Sequence, residues 1–76
     1  MRRVGEVVRT AQGLAVVRVP PDTDPVDVGA EVVDESLTRV GWVVDVFGPV
    51  DRPYVAVTPT DESRLAGLLG EKLYSR

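Results

Sequence analysis

Seventeen of the 76 residues are valine, and they lie in short runs bounded by glycine, proline and aspartate. β-Branched side chains suit a pleated, half-buried surface, whereas glycine, proline and aspartate favour turns. The pattern therefore predicts several short strands and no long helix. An open sheet of such strands would expose edges that can aggregate, and closure into a barrel removes them. We predict an all-β chain with about six strands in a small closed barrel.

Turn residues divide the chain into its predicted elements. The segment A-Q-G at residues 11–13 offers a tight turn, so the first two strands should pair antiparallel. Gly5 would mark a bend or bulge in the first strand. Thr60 or Asp61 could cap a short helical turn that ends at Leu68. Strands are predicted at residues 3–9, 14–19, 31–34, 39–47, 54–58 and 71–74, of which residues 39–47 form the longest.

The composition argues against catalysis. Histidine and cysteine are both absent, which removes the commonest general base, thiol nucleophiles, disulfides and the usual zinc ligands. Asp45 is a carboxylate in the middle of a predicted strand, between Val44 and Val46, and strict alternation would place it on the face of Val43 and Phe47. It would then be either an inward group held by hydrogen bonds or an outward group at a partner surface. We expect no catalytic residue, no cofactor and no metal.

The charge balance is acidic, with nine basic and twelve acidic residues and a net charge of −3. Residues 22–35 carry six acidic side chains and no basic one, so this segment should repel phosphate. The chain therefore lacks the strongly basic composition of an autonomous nucleic-acid binder. No apolar run is long enough to span a bilayer, and none follows the start as in a signal peptide. We expect residues 1–76 to form one domain in the cytoplasm.

Residues 47–54 stand apart from the other turns because they combine F-G-P-V with P-Y. Proline fixes φ and has no N–H donor, so such a turn loses little entropy on docking and offers apolar surface. A stiff hairpin made only for folding would explain the glycine and prolines, but explains less well an aromatic residue at each end. The pattern favours an interaction loop.

At this segment the sequence resembles a known family. Residues 41–57 read G-x-V-x-D-x-F-G-P-V-x-x-P-Y-x-x-V, and residues 65–74 read L-x-G-x-x-G-E-K-L-Y. Upstream, V-G-E-V-V at residues 4–8, T-A-Q-G at residues 10–13 and G-A-E-V-V-D at residues 29–34 also fit. In these motifs the chain resembles the archaeal Gar subunit, from the glycine- and arginine-rich protein family, of H/ACA ribonucleoprotein complexes.

The resemblance implies a six-stranded barrel similar to one found in translation elongation factors, and a non-catalytic role in RNA-guided pseudouridylation of rRNA and in ribosome biogenesis. The subunit would bind the catalytic pseudouridine synthase directly and meet the H/ACA guide RNA only through the complex. It would act on the mobile enzyme loop that covers the substrate. The partner-binding residues that the resemblance implies are Val46, Phe47, Gly48, Pro49, Val50, Pro53, Tyr54 and Tyr74.

Two other functions stay open at the level of sequence. A small barrel of this kind could assist ribosome maturation or bind rRNA outside the H/ACA complex. Alternatively, an enzyme could use the Asp45 carboxylate together with a hydroxyl such as that of Thr58.

Overall fold

Six strands and one short helix make up the computed structural model, which describes residues 2–76. The strands close into a barrel in the order β1-β2-β5-β4-β3-β6, and each neighbouring pair is antiparallel. The predicted all-β barrel with a short helical turn near its end is confirmed. The elements are β1 Arg2–Ala11, β2 Leu14–Arg18, β3 Glu31–Val33, β4 Arg39–Phe47, β5 Tyr54–Pro59, a 3₁₀ helix Glu62–Leu68 and β6 Lys72–Ser75.

The valines that favour strands also fill the barrel. Their branched side chains alternate inwards along the strands, and the 3₁₀ helix packs against β1, β2 and β5 and adds Leu68. Close packing of these side chains is the main apolar contribution to stability. The buried core cluster comprises Val4, Val7, Ala15, Val17, Val19, Val26, Val32, Val40, Val43, Val55, Val57, Leu68 and Leu73.

Bulges in the strands allow the short barrel to close. The predicted irregularity at Gly5 is confirmed, because the β1–β6 register shifts between Arg3 and Gly5. A second shift in β1 lies between Val7 and Arg9. With both ends paired to neighbouring strands, β1 has ten residues against nine in β4. The expectation that residues 39–47 form the longest strand is therefore wrong by one residue. The other predicted strand ends differ from the observed ones by at most two residues.

Local turn chemistry accounts for the connections. Gln12 and Gly13 have φ angles of 53° and 78°, and the positive φ at both central residues is the signature of a two-residue hairpin turn. The carboxylate of Asp61 caps the 3₁₀ helix, because it accepts hydrogen bonds from the hydroxyl and N–H of Ser63 at 2.7 and 3.0 Å. The same two hydrogen bonds lower the pKa of Asp61.

A second carboxylate holds the β3–β4 turn. Partial burial on its own would raise the pKa of Asp34, but four favourable interactions outweigh it and leave the pKa below its ordinary value. The N–H groups of Ser36 and Thr38 donate to Asp34 Oδ1 at 2.9 and 3.0 Å, and the Arg64 guanidinium contributes a hydrogen bond at 3.3 Å and its charge. The contact between Arg64 and Asp34 ties the 3₁₀ helix to the β3–β4 turn.

No helix within residues 2–76 is long and apolar enough to cross a membrane.

Candidate partner-binding surface

The β4–β5 hairpin ends in a rigid apolar projection, which we call the hairpin tip (residues 46–54). Its last ladder pair is Phe47 with Tyr54. Gly48 then takes a φ of 94°, and the N–H of Arg52 donates to the carbonyl of Pro49 at 3.1 Å. The glycine conformation and this hydrogen bond define the turn of the loop.

Two aromatic rings support the tip. The rings of Phe47 and Tyr54 stack with centroids 5.8 Å apart and an interplanar angle of 23°. A Cβ at position 48 would lie 3.0 Å from Cδ2 of Tyr54 and would crowd the stack, and the positive φ of Gly48 also favours glycine. The predicted residues 47, 48 and 54 therefore form one packed unit.

Beside the stack, apolar side chains line a shallow groove of about 330 Å³. Val50 is fully exposed at 101%, and Phe47 is 36% exposed. An exposed apolar projection next to a groove is typical of a protein interaction site, because covering it removes apolar area from water. The groove is lined by Val46, Phe47, Gly48, Pro49, Val50 and Pro53 from the tip, and by Asp24 and Pro25 from the β2–β3 loop.

Tyr74 lies elsewhere on the barrel. It is half-buried on β6, where it pairs with Arg3 of β1 and Val33 of β3. Neither β4 nor β5 borders β6. The structure thus brings seven of the eight predicted residues together and places Tyr74 on a strand away from the tip.

Asp45 is exposed, and strict alternation misplaces it. A bulge between Val43 and Asp45 adds a residue to β4. Asp45 therefore does not share a face with Val43, which is buried, and this differs from the expectation. The Asp45 carboxylate accepts a hydrogen bond from the N–H of Val46 at 2.8 Å. Asp45 lies opposite Ala56, whereas Thr58 lies opposite Trp42, so the two residues of the enzyme hypothesis are not paired.

The outer face of β4 adds two apolar residues that the sequence reasoning did not assign to the surface. Trp42 is 45% exposed and Val44 is also exposed. Trp42 lies between Gly41 and Val43, which are both buried, so alternation along β4 places its ring on the outer face. In the part of the chain that the structure describes, no three acidic side chains converge as metal ligands would.

Comparison with known proteins connects this barrel to a family. Residues 1–76 match the family described as Gar1/Naf1 RNA binding region. The chain belongs to this family. The predicted relation to Gar proteins is thereby confirmed, with Naf1 proteins included in the same family. Gar1/Naf1 domains are RNA-binding accessory domains and not a catalytic family. Membership is consistent with a function associated with H/ACA ribonucleoproteins.

A solved structure has the same fold as this Gar1/Naf1 domain. It is described as the structure of the Gar1 domain of Naf1, and it is similar with a TM-score of 0.71. The alignment covers 99% of this chain and 81% of that chain at 15% sequence identity, so the likeness shows the fold alone. Among curated proteins, none matches the sequence.

Proposed function

We propose that this Gar1/Naf1 domain is the Gar subunit of an archaeal H/ACA complex and binds the catalytic pseudouridine synthase through its hairpin tip. The observation that carries the proposal is the fully exposed Val50 beside the stacked rings of Phe47 and Tyr54. An apolar group held in water on a rigid support gains free energy when a partner covers it, and little conformational freedom is lost. The tip residues are therefore the proposed contact, and Tyr74 would contribute only if the synthase extends to β6.

The size of the domain is consistent with one protein interface. A partner that buries roughly 800 Å² on each side would cover about one-sixth of the 4606 Å² surface. The domain then acts on the enzyme without supplying a catalytic group. By binding the open form of the substrate-covering loop more tightly than the closed form, it shifts the loop equilibrium by its differential affinity and speeds product release.

The wider setting of the proposal follows from the same role. Residues 1–76 act as one domain in the cytoplasm. Within the complex, the domain is linked to the H/ACA guide RNA indirectly, through the synthase. The process served is pseudouridylation of rRNA and, with it, ribosome biogenesis.

Reconstitution with an archaeal pseudouridine synthase and guide RNA tests the proposal. The wild-type chain should co-purify with the synthase and restore multiple turnover to a complex that lacks its Gar subunit. Val50→Asp should abolish both effects, because it places a charge at the centre of an apolar interface. Val28→Asp is the matched control, since Val28 is also exposed but lies outside the tip.

Two results would overturn the proposal. One is the absence of any association between the wild-type chain and the synthase. The other is sedimentation of the native protein with precursors of ribosomal subunits instead of small RNA complexes, which would favour a ribosome-maturation factor.

A further inference from the structure

A second concave surface lies beside the hairpin tip, and we call it the arginine cleft. It has a volume of about 380 Å³ and is formed where β1, the end of β2 and the tip loop meet. Three arginines that are far apart in the sequence line it together. The lining residues are Arg3, Glu6, Arg18, Val19, Pro20, Pro21, Asp51 and Arg52.

Backbone packing brings the three arginines together. Glu6 pairs with Arg18 across the β1–β2 ladder. Gly5 has a φ of 145°, and a Cβ there would overlap the carbonyl oxygen of Arg18, so glycine permits the close approach of β1 to the end of β2. The N–H of Val19 donates to the carbonyl of Pro53 at 3.3 Å, which holds the tip loop and Arg52 against the same edge.

The charges of the cleft are not neutralised by internal ion pairs. Within residues 2–76 the ion pairs are Arg39–Glu31 at 2.5 Å and Arg64–Asp34 at 3.3 Å. The guanidinium groups of the cleft form no such pair and no hydrogen bond with the described part of the chain. Three sets of donors therefore face solvent around one concavity, in a chain whose net charge is −3.

We propose that the arginine cleft binds the phosphodiester backbone of single-stranded RNA. A guanidinium group matches two phosphate oxygens in a planar, bidentate geometry, and three of them around one cleft can hold adjacent phosphates. Pro20 and Pro21 add a rigid apolar wall for a ribose or base face. This inference locates the RNA-binding role of the family on the barrel, and it does not depend on the proposed synthase contact.

The two carboxylates in the cleft can distinguish RNA from an acidic peptide through hydroxyl groups. Glu6 and Asp51 repel phosphates and peptide carboxylates alike at short range, so charge alone does not separate the two ligands. The same oxygens can accept a hydrogen bond from a ribose 2′-hydroxyl, which is the group that distinguishes RNA from DNA. The mixed charge of the cleft thus fits a ligand that carries both phosphates and hydroxyl donors.

The test is fluorescence anisotropy with a labelled single-stranded RNA, measured at several salt concentrations. Each neutralised phosphate of a single strand contributes about −0.7 to the slope of log K against log salt, so three contacts give a slope of about −2. Raising the salt from about 50 to about 200 mM should therefore weaken binding of the wild-type chain about 20-fold. A single-stranded DNA of the same sequence should bind more weakly.

Two triple variants with the same net charge separate the cleft from general electrostatics. Arg3→Gln/Arg18→Gln/Arg52→Gln should lose most of the RNA affinity and flatten the salt slope. The control Arg9→Gln/Arg39→Gln/Arg76→Gln removes three exposed arginines outside the cleft and should change affinity less than threefold, roughly the effect of a screened surface charge. Circular dichroism verifies that both variants fold.

Three outcomes would overturn the inference: no RNA binding by the wild-type chain at low salt, equal losses in the two triple variants, or equally tight binding of a glutamate-rich peptide. The synthase assay distinguishes this failure from failure of the proposed function. The cleft variant should still co-purify with the synthase, and Val50→Ala should still bind RNA.

Discussion

Truncation of Val50 to alanine measures what one exposed side chain contributes to partner binding. Val50 is fully exposed in the free barrel, so its whole side chain is available for burial by a partner. The substitution removes the equivalent of two methylene groups, each of which contributes about 0.8 kcal/mol when buried. If the synthase covers the side chain completely, the loss is about 1.6 kcal/mol, and Kd rises about 15-fold.

The same substitution should leave the free energy of unfolding of the free domain nearly unchanged. An exposed side chain with no packing role changes the free energy of unfolding by no more than about 0.5 kcal/mol. Isothermal titration calorimetry with the purified synthase gives Kd, and urea denaturation of the free domain gives its stability. The combination of a large binding effect with an unchanged stability is specific to an interface residue.

Val28→Ala is the matched control for this measurement. Val28 is 63% exposed in the β2–β3 loop and does not line the groove beside the tip. The control should leave Kd within about twofold of the wild-type value, as expected of a surface substitution outside the interface. The reasoning is refuted if Val50→Ala changes Kd no more than Val28→Ala does, because the tip would then be outside the buried part of the interface.

Three further predictions concern the barrel itself. Leu73→Ala should lower the free energy of unfolding in urea by about 2–5 kcal/mol, because Leu73 is completely buried. Gly41→Ala should disrupt the barrel, since its Cβ would overlap the backbone of β5, whereas Gly67→Ala has open space and should leave the melting temperature unchanged or higher. Because the folded pKa of Asp34 lies below its unfolded value, its contribution to stability is present above the unfolded pKa and is lost as pH falls through the folded pKa. Asp34→Asn, which loses the charge that faces Arg64, should therefore show a smaller loss of stability between pH 5 and pH 2.

Each of these three predictions has an outcome that would contradict it. A loss below about 1 kcal/mol for Leu73→Ala would mean that the core collapses around the missing atoms. Equal melting temperatures for the Gly41 and Gly67 variants would contradict the close approach of β4 and β5. Parallel acid-denaturation curves for wild type and Asp34→Asn would contradict the stabilising role of this carboxylate.

The features that were predictable from sequence are those set by neighbouring residues. The turn at Gln12-Gly13, the cap at Asp61 and the end of the helix near Leu68 each depend on a few adjacent side chains. The hairpin tip belongs to the same class, because its glycine, prolines and aromatic residues lie within nine positions of one another. Local chemistry therefore identified both the strands and the candidate partner surface.

The features that were missed depend on pairing between distant segments. Strict alternation misplaces Asp45, because the bulge after Val43 is decided by how β4 meets β5 and leaves no sign in the local pattern. The length of β1 was underestimated for a related reason, since its ends are stabilised by pairing with β2 and β6. Tyr74 belongs to the second motif of the family resemblance, at residues 65–74, and the strand order separates it in space from the tip.

The arginine cleft depends on local charge, which the overall composition does not describe. The acidic total of the chain argued against phosphate binding, and the acidic segment at residues 22–35 supported that interpretation. Yet attraction for an anion depends on the field at a particular surface and not on the sum over the chain. Three arginines supplied by β1, β2 and the tip loop share one concavity, and no local window of the sequence contains them together.

The arginine cleft and the groove of the hairpin tip share one loop, and this places two different kinds of contact side by side. Asp51 and Arg52 line the cleft, whereas Pro49, Val50 and Pro53 line the groove. Phosphate binding weakens as salt rises, because counterion release drives it, while burial of apolar groups does not depend on that release. A salt titration of a ternary mixture should therefore remove RNA from the domain first and leave the synthase bound. Simultaneous release of both ligands would show that one surface, and not two, accounts for binding.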